Sequence, residues 1–164
     1  MKYPGYVLVY NAESLNPQNL TVSAWVKTTA TQRYTGIVDK WSGGYLLDLY
    51  DGYARFNNDV GVLGTELIND DSWHLVTGTY GVLDAVSSKR HSALYVDGVQ
   101  VGLVEGGGIT DTPDQDLIIG GSLPSTYGLP GEMDDVGVWN HGLWASESTA
   151  LYGMAAHADL QYNL

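Results

Sequence analysis

Short apolar, strand-like runs, some with a polar residue at every second position, follow one another along the chain and are separated by Gly, Asp and Asn. Alternation at period two sends successive side chains to opposite faces, which is the signature of a half-buried strand. The clearest case is Leu20–Lys27, where Leu20, Val22, Ala24 and Val26 share one face and Thr21, Ser23 and Trp25 share the other. Further strands are expected at Tyr6–Tyr10, Gly36–Trp41, Tyr45–Tyr50, Tyr53–Phe56, Trp73–Tyr80, Ser92–Val96, Val99–Val101, Leu117–Gly120 and Met133–Trp139. Asp51-Gly52 and Asp97-Gly98 each join two such runs, and both predict hairpins, because a type I′ turn needs positive φ at its two central residues. Ala145–Tyr152 reads as a helix, with Ser146 as N-cap candidate and Thr149 where a capping box wants Glu or Gln. About ten short strands at roughly 8–12-residue spacing, without interleaved helices, predict an antiparallel all-β sandwich or barrel. No shift of composition marks a linker, so residues 1–164 are read as a single domain.

At 164 residues the chain can bury roughly 70% of its unfolded surface, enough for a core without disulfides or a structural metal. Seven Lys+Arg against 19 Asp+Glu give a formal net charge of −12. That balance opposes nucleic acid and anionic membrane surfaces as partners, since both require clustered cations. No apolar run is long enough for a transmembrane helix, and no apolar leader-like segment follows Met1–Gly5. Cysteine is absent, which excludes disulfides, thiolate metal sites and thiol nucleophiles. His74, His91, His141 and His157 show no metal-ligand spacing and are read as surface or hydrogen-bonded residues.

Several stretches, in order, resemble the laminin G-like domains of the concanavalin A-like lectin/glucanase superfamily. They are Leu15-Asn16-Pro17 with the strand Leu20–Lys27, Ser72-Trp73-His74-Leu75-Val76, Leu94-Tyr95-Val96-Asp97-Gly98 and Ile118-Ile119-Gly120. The closing stretch Gly131–Asn140, followed by Leu143, Ala145, Glu147 and Leu151-Tyr152, belongs to the same pattern. The resemblance implies a two-sheet antiparallel jelly-roll β-sandwich with one short C-terminal helix. It implies an extracellular or cell- or virion-surface setting, within a larger parent protein; an exposed sheet edge could also pair in a homodimer. It also implies glycan binding, often with calcium. The acidic turn that often opens such domains is missing before Tyr6.

Glucanases of this superfamily carry E-x-D-x-E on one strand, which supplies a nucleophile and an acid/base from one face. Here the nearest match is Glu132-Met133-Asp134-Asp135-Val136, and Val136 occupies the third carboxylate position. A glycoside hydrolase is therefore the least favoured of three readings. Ahead of it stand a non-catalytic carbohydrate-binding module and a structural or protein-interaction domain. Net negative charge favours a neutral glycan over sulfated or uronic ones.

By alternation Asp134 shares a face with Val136 and Val138, and an inward carboxylate needs compensation. Calcium, for which the resemblance assigns Asp134, is one solution; hydrogen bonds from backbone N–H groups are another. The acidic stretch Asp111–Asp116 is read as a solvated loop, and the Asn19-Leu20-Thr21 sequon as a chance match. Sugar rings stack on aromatic faces beside polar groups. Trp41 and Tyr45, near the turn Ser42-Gly43-Gly44, with Tyr53 and Tyr127, are the ligand-binding candidates. Cross-strand packing is the competing role for each. Trp25 is open to either role, whereas Trp73 is read as structural.

Overall fold

In the computed structural model the alternating runs become β1 (Val7–Val9), β2 (Leu20–Thr28), β3 (Tyr34–Lys40), β4 (Tyr45–Tyr50), β5 (Tyr53–Asn57) and β6 (Gly61–Leu67). The second half supplies β7 (His74–Gly81), β8 (His91–Val96), β9 (Val99–Glu105), β10 (Leu117–Ile119) and β11 (Gly131–Trp139), then α1 (Ala145–Gln161). The structure describes residues 5–41, 43–83, 88–110, 112, 114–122 and 127–161, with side chains up to 154. Ser42, Asp111, Pro113 and the His157 side chain, which figure in the sequence reading, lie outside the described residues. No described helix is long and apolar enough to cross a membrane.

Six strands order as β1-β10-β3-β4-β5-β6 and five as β11-β2-β7-β8-β9, forming the two sheets of an antiparallel sandwich. The inward faces meet as alternation requires. Leu20, Val22, Ala24 and Val26 of β2 pack with Tyr45, Leu47 and Leu49 of β4, Ala54 and Phe56 of β5, and Val76 and Leu94. At both hairpins the Asp and Gly have positive φ: 51° and 85° at Asp51-Gly52, 52° and 75° at Asp97-Gly98. The second turn carries a further device. The Asp97 carboxylate accepts from Leu75 N at 2.9 Å and meets His74 Nδ1 at 2.8 Å, while Asp70 meets His74 Nε2 at 3.2 Å.

Three local readings change. Strand β6 has no counterpart among the expected strands, because glycines at 61 and 64 interrupt its pattern; only Val62 and Gly64 are buried. The helix is longer than the expected Ala145–Tyr152 and is capped two residues earlier. Glu147 Oε2 accepts from Trp144 N at 2.8 Å, and the Thr149 hydroxyl donates to Gly98 O at 2.9 Å. Trp73, read as structural, is exposed, whereas Trp25 lies 5.7 Å ring to ring from Tyr152 of α1. The polar outer face of β2 is buried by the chain that follows β11. Thr21 donates to His141 O at 2.6 Å and accepts from Leu143 N at 3.0 Å.

The sheets approach so closely at Gly78 that a Cβ there would sit 2.3 Å from the Phe56 ring. Gly78→Ala is therefore expected to cost about 1–3 kcal/mol through overpacking. Equilibrium urea unfolding checks this, and Phe56→Leu in the same chain should recover part of the loss. His74 yields a second expectation. Burial disfavours its imidazolium, but Asp97 and Asp70 outweigh burial and hold its pKa above the ordinary 6.5. The resulting stabilisation is complete below the unfolded-state value and is lost as pH rises through the higher folded-state value. Urea midpoints of wild type and His74→Gln should thus differ at about pH 5.5 and converge by about pH 8.5.

Candidate functional site

On β3 and β4 the residues that do not enter the core form the outer face of the six-stranded sheet. The register crosses that face in rows. Leu8 pairs with Ile118, Ile118 with Asp39, Asp39 with Leu46, and Leu46 with Asn57. A parallel row holds Gly36, Asp48, Arg55 and Leu63, and a third holds Tyr34, Tyr50, Tyr53 and Leu67. Ile37 is a bulge residue, since Gly36 opposes Asp48 while Val38 opposes Leu47. The extra residue lets Ile37 and Val38 both enter the core and returns Asp39 to the outer face.

Where β1, β3 and β10 meet, this face opens into a cleft of about 430 Å³. Leu8 and Ile118 supply apolar surface, Tyr6 and Trp41 supply rings, and Asp39, Asp114, Gln115 and Asp116 supply acceptors. Trp41 is 42% exposed and Tyr6 49% exposed, so both rings have accessible surface. Asp39 is only 6% exposed, and its Oδ1 accepts from Trp41 N at 2.7 Å, which fixes the chain entering the Trp41 turn.

The opposite wall is held by Lys40, the next residue along β3. Its side chain is 1% exposed, and its Nζ donates to Asn11 Oδ1 at 2.9 Å, Thr112 Oγ1 at 3.1 Å, Thr112 O at 3.2 Å and Gln115 O at 2.8 Å. Asp116 accepts from Asn11 N at 2.8 Å. The ammonium thereby joins the β1 exit, the end of β3 and the loop that presents Asp114, Gln115 and Asp116. A buried cation is tolerable only when so satisfied.

The four aromatic candidates separate in space. Trp41 lines the cleft. Tyr45 does not, which corrects its assignment: β4 alternation turns it inward with Leu47 and Leu49, it is 0% exposed, and burial pushes its hydroxyl pKa well up. Tyr127 and Tyr53 lie toward the other end of the sheet. Tyr127 packs edge-on against Tyr34 at 5.3 Å, and Tyr34 packs against Tyr50 at 5.3 Å. Arg33 and Arg55 occupy ring faces there, 5.0 and 5.1 Å from the Tyr50 centroid. Arg55 also binds Asp48 through two bonds of 2.9 and 2.6 Å. Tyr53 is half-buried opposite Tyr50. This second cluster is self-satisfied, since its ring faces already carry guanidinium groups.

Asp134 also sits differently from its expected place. Between Asp134 and Gly137 the β11–β2 register shifts, and Asp135 has φ 46°. The bulge breaks the alternation, so Met133, Val136 and Val138 pack toward the core while Asp134 is exposed. Its Oδ1 accepts from the N–H of Asp135, the next residue of the same strand, at 2.8 Å. Among the described residues no three acidic, His or Cys side chains converge on a metal-sized site. Calcium needs several oxygens at one point, and the bulge supplies no such set of side chains.

Tyr6 and Asp39 were not singled out from the sequence, and Asp114, Gln115 and Asp116 were read only as part of a solvated loop. The one legible signal was a charged residue inside an apolar strand, Asp39, two positions before an exposed Trp. The rest of the cleft is long-range: β1 and β10 are separated from β3 in sequence and meet it only through the sheet.

Replacing Lys40 by Met should leave the Thr112 and Gln115 carbonyls without their donor and lower stability by about 1–3 kcal/mol. Hydrogen exchange of the variant should show the loss concentrated at residues 112–118.

No curated protein matches the chain. Among solved structures it resembles a proposed carbohydrate-binding protein from Bacteroides ovatus ATCC 8483, with TM-score 0.70, 16% identity, 88% of this chain and 43% of that one covered. It resembles the native heptameric SAP-like pentraxin of Limulus polyphemus, with TM-score 0.63, 16% identity, and 90% and 80% covered. It also resembles mouse laminin α1 domains LG4-5, with TM-score 0.63, 20% identity, and 88% and 41% covered. The chain thus spans about two fifths of the first and last of these. A family model of the concanavalin A-like lectin/glucanase superfamily, of laminin G type, matches residues 3–147, and the chain belongs to that family.

Proposed function

We propose that the chain is a non-catalytic, lectin-like module that holds a glycan free of sulfate and carboxylate groups in the Trp41 cleft. The observation that carries this reading is the exposed Trp41 ring standing beside Asp39, Gln115 and Asp116 in one open cleft. Such a site offers an apolar platform for a pyranose face and acceptors for its hydroxyls. Membership of a superfamily that includes lectins supports the reading, as does the fold shared with a proposed carbohydrate-binding protein. Val136 at the third carboxylate position supports the absence of glycosidase chemistry. An extracellular or surface setting, within a larger protein, fits the same reading. A structural or protein-interaction role is the second reading. It draws on the edge strand β1, where Tyr6, Val7, Leu8 and Tyr10 are all exposed.

The test is a polysaccharide and oligosaccharide binding screen with wild type, Trp41→Ala and Tyr45→Phe, each in calcium and in EDTA. Wild type should bind in both buffers, because among the described residues no three carboxylates converge on a metal. Trp41→Ala should weaken binding about tenfold or more, and Tyr45→Phe should bind like wild type. Loss of binding in EDTA would contradict the metal-independent site. No binding in any buffer would favour the interaction-domain reading.

A further inference from the structure

Buried carboxylates normally have a cation or several donors. On the outer face of the six-stranded sheet two carboxylates are nearly inaccessible, Asp48 and Asp39. Asp48 has the bidentate Arg55 guanidinium. Asp39 lies close enough to Asp48 for their charges to repel, yet its one hydrogen-bond donor among the described residues is the neutral Trp41 N–H on Oδ1. No described Lys, Arg or His forms an ion pair with it, and it borders the cleft. Asp114 and Asp116 border the same cleft, so its polar lining carries negative charge around two aromatic rings. Among the described residues no three acidic, His or Cys side chains converge as metal ligands.

We infer that the cleft selects a glycan bearing protonated amines, a polymer or oligomer of free amino sugars, with an ammonium group placed at Asp39 beside the Trp41 ring. This rests on the glycan reading above and narrows it. A sugar ammonium supplies what Asp39 lacks, a charge-assisted donor to a carboxylate that borders the cleft. The indole face adds attraction for the same cation. N-acetylation removes the charge and replaces a compact group with an amide, so the acetylated counterpart loses both terms. A divalent metal would need several ligands at one point, and the described carboxylates supply no such set.

The experiment is calorimetric titration of the full chain with glucosamine hexamer, N-acetylglucosamine hexamer and cellohexaose, at about 50 and about 300 mM salt. Wild type should bind the amine hexamer at least tenfold more tightly than the acetylated one at low salt, with the advantage reduced at high salt. Asp39→Asn, which keeps an acceptor for Trp41 N, should abolish that advantage. Glu66→Gln makes the same charge change at an exposed position outside the cleft and should preserve it, which separates a site from general attraction to an acidic protein. The thermal midpoint of Asp39→Asn should equal or exceed that of wild type, because a buried carboxylate without a cation is removed. Equal affinity for amine and acetylated hexamers would overturn the inference while leaving a glycan module standing. An amine advantage that survives in Asp39→Asn would also overturn it. Failure of all three hexamers to bind would remove the glycan reading itself.

Discussion

The candidate cleft depends on a buried ammonium. Lys40 sits at the end of β3, and its four described acceptors come from two separate segments: Asn11 at the β1 exit, and Thr112 and Gln115 in the loop before β10. Burying that charge is tolerable only with every donor occupied, so the interaction fixes the surrounding loops as a unit. Those loops are one wall of the cleft, and the next residue after Lys40 is the exposed Trp41. The structural clasp at the end of β3 and the proposed ligand platform in the turn that follows are therefore consecutive residues. The clasp gives a rigid scaffold to a site built from loop residues, which would otherwise be mobile.

The same division runs through the sandwich. Inward positions on β2, β4 and β5 are uniformly apolar and buried, and Gly78 against Phe56 sets how near the sheets can come. Outward positions on the six-stranded sheet carry ion pairs, aromatic clusters and the cleft. Two bulges decide which residues end up on which side. The one at Ile37 returns Asp39 to the outer face. The one after Asp134 exposes that carboxylate and sends Val136 to the core.

Much of this was legible in the sequence. Alternation placed most of the strands, the two Asp-Gly turns have the positive φ their chemistry requires, and the two-sheet sandwich with its C-terminal helix is the architecture expected. The misses share one cause. A period-two count assumes an unbroken ladder, and bulges break it. Asp134 was placed inward because the count passed through Asp135. Tyr45 was grouped with Trp41 because a Gly-rich turn joins them, although β4 turns it into the core. The cleft itself could not be read locally, because Tyr6, Trp41 and Asp116 come from strands and loops that only the sheet order brings together. The helix cap was missed because Trp144, a residue with no capping side chain, is held by Glu147 from within the helix.

The most direct test of the account is where a bound oligosaccharide touches the chain. A two-dimensional amide NMR titration of the isotopically labelled protein, using the tightest oligosaccharide from the screen, would locate it. The account predicts that perturbed amides cluster at residues 39–41 and 114–118, with Tyr6 and Leu8 beside them. Perturbations centred on the Asp134–Gly137 bulge, or on Tyr34, Tyr50 and Tyr127, would contradict it.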